Sequence, residues 1–440
     1  MFYPKSPFLG NPLLEAEILK VNSAALAPLL EWLCRTPKVT TYRVNTLRMS
    51  VEAFREKLEE KLVARYGQES PKVYGLPKLP EVLCIEPLAA RLTEVSVDPN
   101  LKEVIVDTCC GAALLRGAHI YAPGVLAMES NAQLQELVSV YADLTGKCKR
   151  GSVTRYSSSE KIFLGTGKVL MQRYQLFNNL DKPASGIAVE MQSNVSGVPP
   201  LGDLSNEDAL LQNLPSIVCV RVLNPQPGER VLDMCAAPGN KTSHIAELMC
   251  DQGSVVALDN SASRVRSMVP KLAGYKSITA HVFDSTKAVA PDLAPRGELS
   301  GPPFPCGSFD RILLDAPCSG LGNRPQLSCS IKQAKVLHSY PNIQRRLFLQ
   351  AVQLLRPGGT LVYSTCTVTE EECECLVSWA LRKFSELRLV DATPRWGGPG
   401  LPLPDFNETN SRLVQRFGPS GENSDTVGFF IAKFQKKINE

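Results

Sequence analysis

Arg230-Val-Leu-Asp233-Met-Cys235-Ala236-Ala237-Pro238-Gly239-Asn240-Lys241-Thr decides the fold: an apolar run ending near a carboxylate turns through proline and glycine into a helical pattern that continues to Met249. Such a strand–turn–helix step leaves the unpaired N–H groups of the helix start facing whatever occupies the turn. Working outward, 254–259 and 278–283 read as the next strands, with a helical pattern opening at Ser261 between them. Strands at 309–315 and 360–364 follow, separated by a helix at 343–355 that stops at Pro357-Gly358-Gly359, and 427–434 is a late strand. This alternation predicts an α/β fold, a mostly parallel Rossmann-like sheet with helices on both faces. The Pro- and Gly-rich stretches 291–307 and 393–405 read as surface loops.

Ligands in such a sheet bind beyond the carboxyl ends of the strands. The 235–241 loop lies there and lacks the G-x-G-x-x-G spacing of a dinucleotide fold, which argues against hydride transfer. Asp259 ends the second strand, where a carboxylate can accept both hydroxyls of a ribose. Asp284 follows the third, placed for an adenine amino group, and Asp315 ends the fourth. Taken singly, Asp259 and Asp284 read equally well as caps of the turns they precede. Three carboxylates at successive strand ends favour S-adenosylmethionine, whose sulfonium welcomes them, over a phosphate-bearing ligand. The candidate cofactor site is therefore Cys235, Ala236, Ala237, Pro238, Gly239, Asn240, Lys241, Asp259, Asp284 and Asp315, with the Cys235 side chain read as packing.

Two more strand ends carry thiols: Cys318 in Asp315-Ala-Pro-Cys318-Ser-Gly, and Cys366 in Leu361-Val-Tyr-Ser-Thr-Cys366-Thr. A lone cysteine there is ordinarily a small buried hydrophobe. Two beside a carboxylate-lined loop suit methylation of carbon 5 of a pyrimidine. That carbon becomes nucleophilic only when a thiolate adds to carbon 6, and an ionised cysteine is a strong nucleophile. Asp315 is placed to hydrogen-bond the base at N3 and its amino group, and Lys241 to contact the base or hold the loop. A base must then remove the carbon-5 proton before the thiolate leaves. Spacing leaves open which thiol attacks.

Upstream, residues 1–100 alternate helical and extended pieces, with a strand at 40–46 and a helix at 51–60 behind the cap Ser50. From 101 to about 193 short strand runs are punctuated by glycine, which predicts a small β-barrel-like module ending where Ser, Gly and Pro cluster. Its Gly146-Lys147-Cys-Lys149-Arg150-Gly151 loop, with Arg116 and Tyr121, is a candidate contact for phosphates and bases; the plainer reading is a solvated basic turn. Residues 194–440 form the catalytic part. Arg43 and Asn45 read as partners of that part.

Hydrophobic and charged residues at 44% and 21% describe an ordinary globular chain, and a net charge of +4 permits a polyanion partner without demanding one. The fourteen cysteines include adjacent Cys109 and Cys110, which suits reduced thiols rather than a secreted disulfide framework. Cys373 and Cys375 have no second pair at zinc spacing, so no metal is expected. Neither a signal peptide nor an apolar run long enough for a membrane is seen, and a cytoplasmic monomer is expected.

Cys235-Ala-Ala-Pro-Gly-Asn-Lys241, Asp315-Ala-Pro-Cys318-Ser-Gly and Tyr363-Ser-Thr-Cys366-Thr, in this order, resemble the Sun family of RNA cytosine-5 methyltransferases, as do Gln212-Asn-Leu-Pro-Ser216 and Gly428-Phe-Phe-Ile-Ala432. Leu115-Arg116-Gly117-Ala118-His119-Ile-Tyr121-Ala-Pro123-Gly124 and the basic loop are most similar to its sixth branch, tRNA methyltransferases with an inserted PUA module. The resemblance implies S-adenosylmethionine as cofactor, Cys366 as nucleophile and Cys318 as the residue assisting release. It also implies cytosine 72 of a tRNA acceptor stem as target, unpaired and extruded for reaction, with the CCA end held by the module. Two positions depart from the family: Asn240 stands where glycine is usual, and Ile331 where relatives have tryptophan. Two other readings remain open, a catalytically silent RNA-binding protein and a methyltransferase for ribosomal or messenger RNA.

Overall fold

In the computed structural model, which describes residues 3–88, 96–178, 184–204, 207–290, 301–419 and 425–438, alternate residues of the central strands pack into two different cores. Leu232, Ile312, Leu314, Leu361 and Tyr363 join helices Ala334–Leu354 and Glu374–Lys383 in one. Val231, Val255, Leu313 and Val362 join helices Leu214–Leu223 and Asn240–Leu248 in the other. A period of two with both faces apolar buries a sheet between two helical layers.

The strand order from one edge is Ile278–Val282, Ser254–Asp259, Arg230–Asp233, Phe309–Asp315, Leu355–Thr365, Phe429–Lys436, Leu387–Val390. The first five are parallel, and Phe429–Lys436 runs antiparallel to Leu355–Thr365, to Leu387–Val390 and to a short eighth strand, Gln415–Phe417. Arg230–Asp233 lies mid-sheet: the chain builds outward from it on one side, then returns to Phe309–Asp315 on the other. That reversal opens a crevice at the strands' carboxyl ends, where the 235–241 loop sits.

Several details differ from the sequence reading: the strand expected at 360–364 starts at Leu355, and the helix expected at 51–60 runs on to Tyr66. The helix expected at 343–355 begins at Ala334 and carries Pro341 inside it. The last strand runs Phe429–Lys436, two residues late. Asn240, where the family usually has glycine, is the first residue of its helix, and the positive φ of 94° falls on Gly239 before it. A Cβ at Gly239 would also meet Met268 at 2.8 Å. Of the expected 291–307 loop, residues 291–300 lie outside the described residues.

The N-terminal part forms an antiparallel sheet, Ala209–Leu211, Thr40–Val44, Leu79–Ile85, Val73–Leu76, covered by Phe54, Leu58 and Leu62 of helix Val51–Tyr66. Its edge strand Ala209–Leu211 comes from the stretch read as catalytic, so this layer is stitched from both sides of the module. The module's six-stranded sheet spans Lys102 to Asn194. Its two edge strands, Ile120–Tyr121 and Val125–Met128, are joined by only Ala122–Gly124, so the sheet must curl round on itself. Ile331 is buried with Phe8, Ile18, Leu321 and Leu337, which gives it a packing role under the N-terminal segment.

Candidate active site

Sheet register brings the two thiols together. Asp315 pairs with Ser364 across adjacent parallel strands, and each chain then turns over the sheet edge. Cys318 and Cys366 meet there with their Sγ atoms 3.4 Å apart. Backbone holds the turn closed: Gly322 N–H donates to the Cys366 carbonyl at 2.9 Å, and Gly428 N–H to the Gly322 carbonyl at 2.7 Å. A Cβ on Gly322 would lie 2.0 Å from the Gly428 oxygen, so only glycine fits.

Glu372 completes this frame, and the sequence reading missed it. It accepts from Ser319 N–H at 3.0 Å, from the Ser319 hydroxyl at 2.5 Å and from Gln344 at 2.9 Å. The available signal was Thr369-x-x-Glu372 just before a helix, the spacing of a capping box; here the carboxylate turns to the Cys318 loop instead. Cys373, weighed as half of a metal pair, is fully buried beside Thr365.

Lys241 Nζ donates to Asp315 Oδ2 at 2.6 Å and lies 5.3 Å from the Phe429 ring centre, while the Ser364 hydroxyl donates to Asp315 Oδ1 at 2.8 Å. Burial works against the Lys241 charge, but Asp315 outweighs it and holds the ammonium's pKa above its ordinary value. The thiols are split in opposite directions. Hydrogen bonding from Cys318 lowers the Cys366 pKa against burial and Asp315, with Lys241 adding to the lowering. Cys318 is raised by that same bond, by burial and by Glu372. The first proton therefore leaves Cys366, which faces a cation, and Cys318 donates to it. Of the two, Cys366 is the thiol on which ionisation is favoured.

A cleft of about 460 Å³ runs from Asp315 and Lys241 along the 235–241 loop to the N-terminal layer and the module; Cys318, Cys366, Gly239, Asp259 and Asp284 are not among the residues that line it. Cys235, Ala236, Ala237, Pro238, Asn240, Lys241 and Asp315 all line it. Two carboxylates, Asp233 and Asp315, line it together with the cationic side chains of Lys241, Arg116 and Arg324. Burial holds the Cys235 thiol well above its ordinary pKa, as packing requires.

Arg43 fixes the loop from outside. Its guanidinium donates to the Asn240 carbonyl at 2.6 Å, to Ser243 at 2.7 Å and to buried Glu247 at 3.0 Å. Asn45 reaches Tyr275, which donates to the same Glu247. Both residues thus join the N-terminal strand to the catalytic part.

Asp259 and Asp284 are less simply placed. Asp259 is 3% exposed, and its oxygens accept from the N–H groups of Ala237 and Ser261 while Arg264 lies 3.3 Å away. It braces the loop as well as ending its strand. Asp284 caps the turn that follows, accepting from Thr286 N–H at 3.0 Å and its hydroxyl at 2.8 Å.

The module residues separate. Arg116 lines the cleft, with its guanidinium 3.5 Å from the Arg324 carbonyl. Tyr121 is 56% exposed on the edge strand. In the basic loop, Arg150 donates to the carbonyls of Pro123 and Val125 and lies over Phe177, Lys147 faces Glu160 at 3.6 Å, and Lys149 is exposed.

Residues 220–435 match a family model described as 16S rRNA methyltransferase RsmB/F. Over 99% of its length the chain is 41% identical to tRNA (cytosine(72)-C(5))-methyltransferase NSUN6 of Mus musculus, covering 94% of that protein. The Homo sapiens protein of the same name is 40% identical over 99% of this chain and 96% of its own. The fold also matches the crystal structure of NSun6 from Pyrococcus horikoshii with SFG, with a TM-score of 0.72 and 29% identity over 96% of this chain and 100% of the other.

Proposed function

The chain belongs to the Sun family of RNA cytosine-5 methyltransferases, and from that premise we propose that it methylates carbon 5 of cytosine 72 in the acceptor stem of tRNA through a covalent cysteine–cytosine intermediate. The observation that carries this reading is the thiol pair at 3.4 Å, in which the bond from Cys318, aided by Lys241, favours the Cys366 thiolate, near a cleft lined by the 235–241 loop and Asp315. Near full-length identity to relatives named for that reaction supports the choice of substrate.

The cofactor is S-adenosylmethionine, in keeping with the analogue SFG in the Pyrococcus structure, and it supplies the methyl group. The 235–241 loop, Asp259, Asp284 and Asp315 would hold it. Cys366, as thiolate, adds to carbon 6 of the extruded base. Asp315, paired with Lys241, would accept hydrogen bonds from the amino group and protonated N3 of the adduct, where charge develops. A base then removes the carbon-5 proton, the bond between carbon 6 and the Cys366 sulfur breaks, and Cys318 assists this release. The inserted sheet is proposed as a PUA module that takes the CCA end on Tyr121, Lys147, Lys149 and Arg150, with Arg116 nearer the target base. The chain is proposed to act as a cytoplasmic monomer, a setting its fourteen free cysteines suit.

Cys366→Ala should abolish transfer to a tRNA transcript while RNA binding persists. Cys318→Ala should instead accumulate a covalent protein–RNA species on a denaturing gel. Trapping by the Cys366 variant in place of the Cys318 variant would reverse the roles, and labelling at a cytosine other than 72 would overturn the target.

A further inference from the structure

Two buried polar atoms belonging to residues that line the cleft have no hydrogen-bond partner: Oδ1 of Asp233 and Nε2 of Gln212. The residues are 1% and 7% exposed. A native structure rarely leaves such groups unmet, and a ligand is one of the few things that completes them.

The other atom of each side chain is already committed. Asp233 Oδ2 accepts from the Thr242 hydroxyl at 2.8 Å. Gln212 Oε1 accepts from the Arg43 guanidinium, which can only donate, so the orientation of the Gln212 amide is fixed. Both are tied to the first turn of helix Asn240–Leu248, Asp233 through Thr242 and Gln212 through Arg43, which also grips Asn240 and Ser243. Lys241 does not answer Asp233, being paired with Asp315.

The two demands are opposite in kind. Asp233 needs a donor and Gln212 needs an acceptor. A sulfonium donates no hydrogen bond, so it cannot satisfy Asp233, whereas an α-amino acid offers an ammonium and a carboxylate on one carbon. We infer that Asp233 and Gln212 receive the amino-acid end of S-adenosylmethionine, the ammonium on Asp233 and the carboxylate on Gln212. This rests on the cofactor reading above.

The groups facing Asp233 are Thr242, Asp315, Lys241, the backbone N–H of Cys235 and the thiols of Cys219 and Cys235. Burial, reinforced by Asp315, raises its pKa to about 7. The free carboxyl is thus partly protonated at neutral pH, and an arriving ammonium favours its anion. Binding should expel a proton, so affinity rises as pH climbs through about 7 and then levels.

Calorimetry on the intact protein tests this with two ligands. S-adenosylhomocysteine keeps the amino-acid end and lacks the sulfonium; 5′-methylthioadenosine keeps the nucleoside and thioether and lacks the amino acid. At pH 7, in buffers of different ionisation enthalpy, wild type should release roughly half a proton with the first ligand and none with the second. Asp233→Asn and Gln212→Leu should each weaken the first on the order of tenfold, the second hardly at all. Equal weakening of both ligands, unchanged affinity for S-adenosylhomocysteine, or no proton release in wild type would overturn the inference. The wild-type measurement decides even if a variant does not fold. Wild type that bound neither ligand would instead bring down the cofactor reading, and this inference with it.

Discussion

Lys241 in the cleft and Lys147 on the module each face a carboxylate, at 2.6 Å and 3.6 Å, yet the first side chain is 14% exposed and the second 73%. The same pairing means different things in the two places. Removing one partner of a buried pair strands a charge, at a cost of up to about 3–5 kcal/mol. An exposed pair contributes about 0–1 kcal/mol and is screened by salt. Lys241 is therefore held in place, whereas Lys147 can give up Glu160 at little cost. In the proposed function the catalytic end is rigid and the end proposed to meet RNA is exchangeable.

The largest effect should come from Lys241→Met. Asp315 would be left without its cation and the Cys366 thiolate without its nearby positive charge, so transfer should fall on the order of a hundredfold or more. Loss of that charge moves the Cys366 pKa upward, and its alkylation by iodoacetamide should begin at higher pH than in wild type. Alkylation with an unchanged pH profile would break the contrast between the two lysines.

Arg43→Ala sharpens the contrast from a distance. It leaves Glu247 buried opposite Tyr275 with no cation and frees the Asn240 carbonyl. Urea unfolding should show a loss of about 3–5 kcal/mol. A loss under about 1 kcal/mol would mean that the junction behaves like a surface pair.

Smallest in stability, though not in binding, is the triple change of Lys147, Lys149 and Arg150 to alanine. Stability should fall by no more than about 1 kcal/mol, most of it from Arg150, which alone of the three donates to the carbonyls of Pro123 and Val125. tRNA affinity should drop and its salt dependence flatten, because fewer counterions are released. Salt titration of binding, with and without the CCA end, reads this directly. An unchanged slope would remove the loop from the RNA interface.

Much of this was legible along the chain. Strands read from apolar runs at 230–234, 254–259 and 309–315 agree with the observed ones to within a residue, because burial on both faces leaves a local signature in sequence. The motif residues at strand ends were equally visible, since a site beyond the carboxyl edge must use the residues that follow each strand. The helix start at Ala334 was hidden by Pro341, which the helix accommodates in its interior. Glu372 was hidden because its partners, Ser319 and Gln344, are far away in sequence.

By itself, then, the sequence determined the alternating layers, the order of the chemistry-bearing strand ends and the presence of two thiols, because each is a matter of local periodicity and residue type. Only the tertiary structure decided that Cys318 and Cys366, 48 positions apart, touch. It likewise decided that Cys366 is the thiol facing Lys241, and that Arg43 on a separate sheet holds the 235–241 loop. These depend on strand register and on charges meeting through space, where electrostatic energy is set by distance and burial and not by position along the chain.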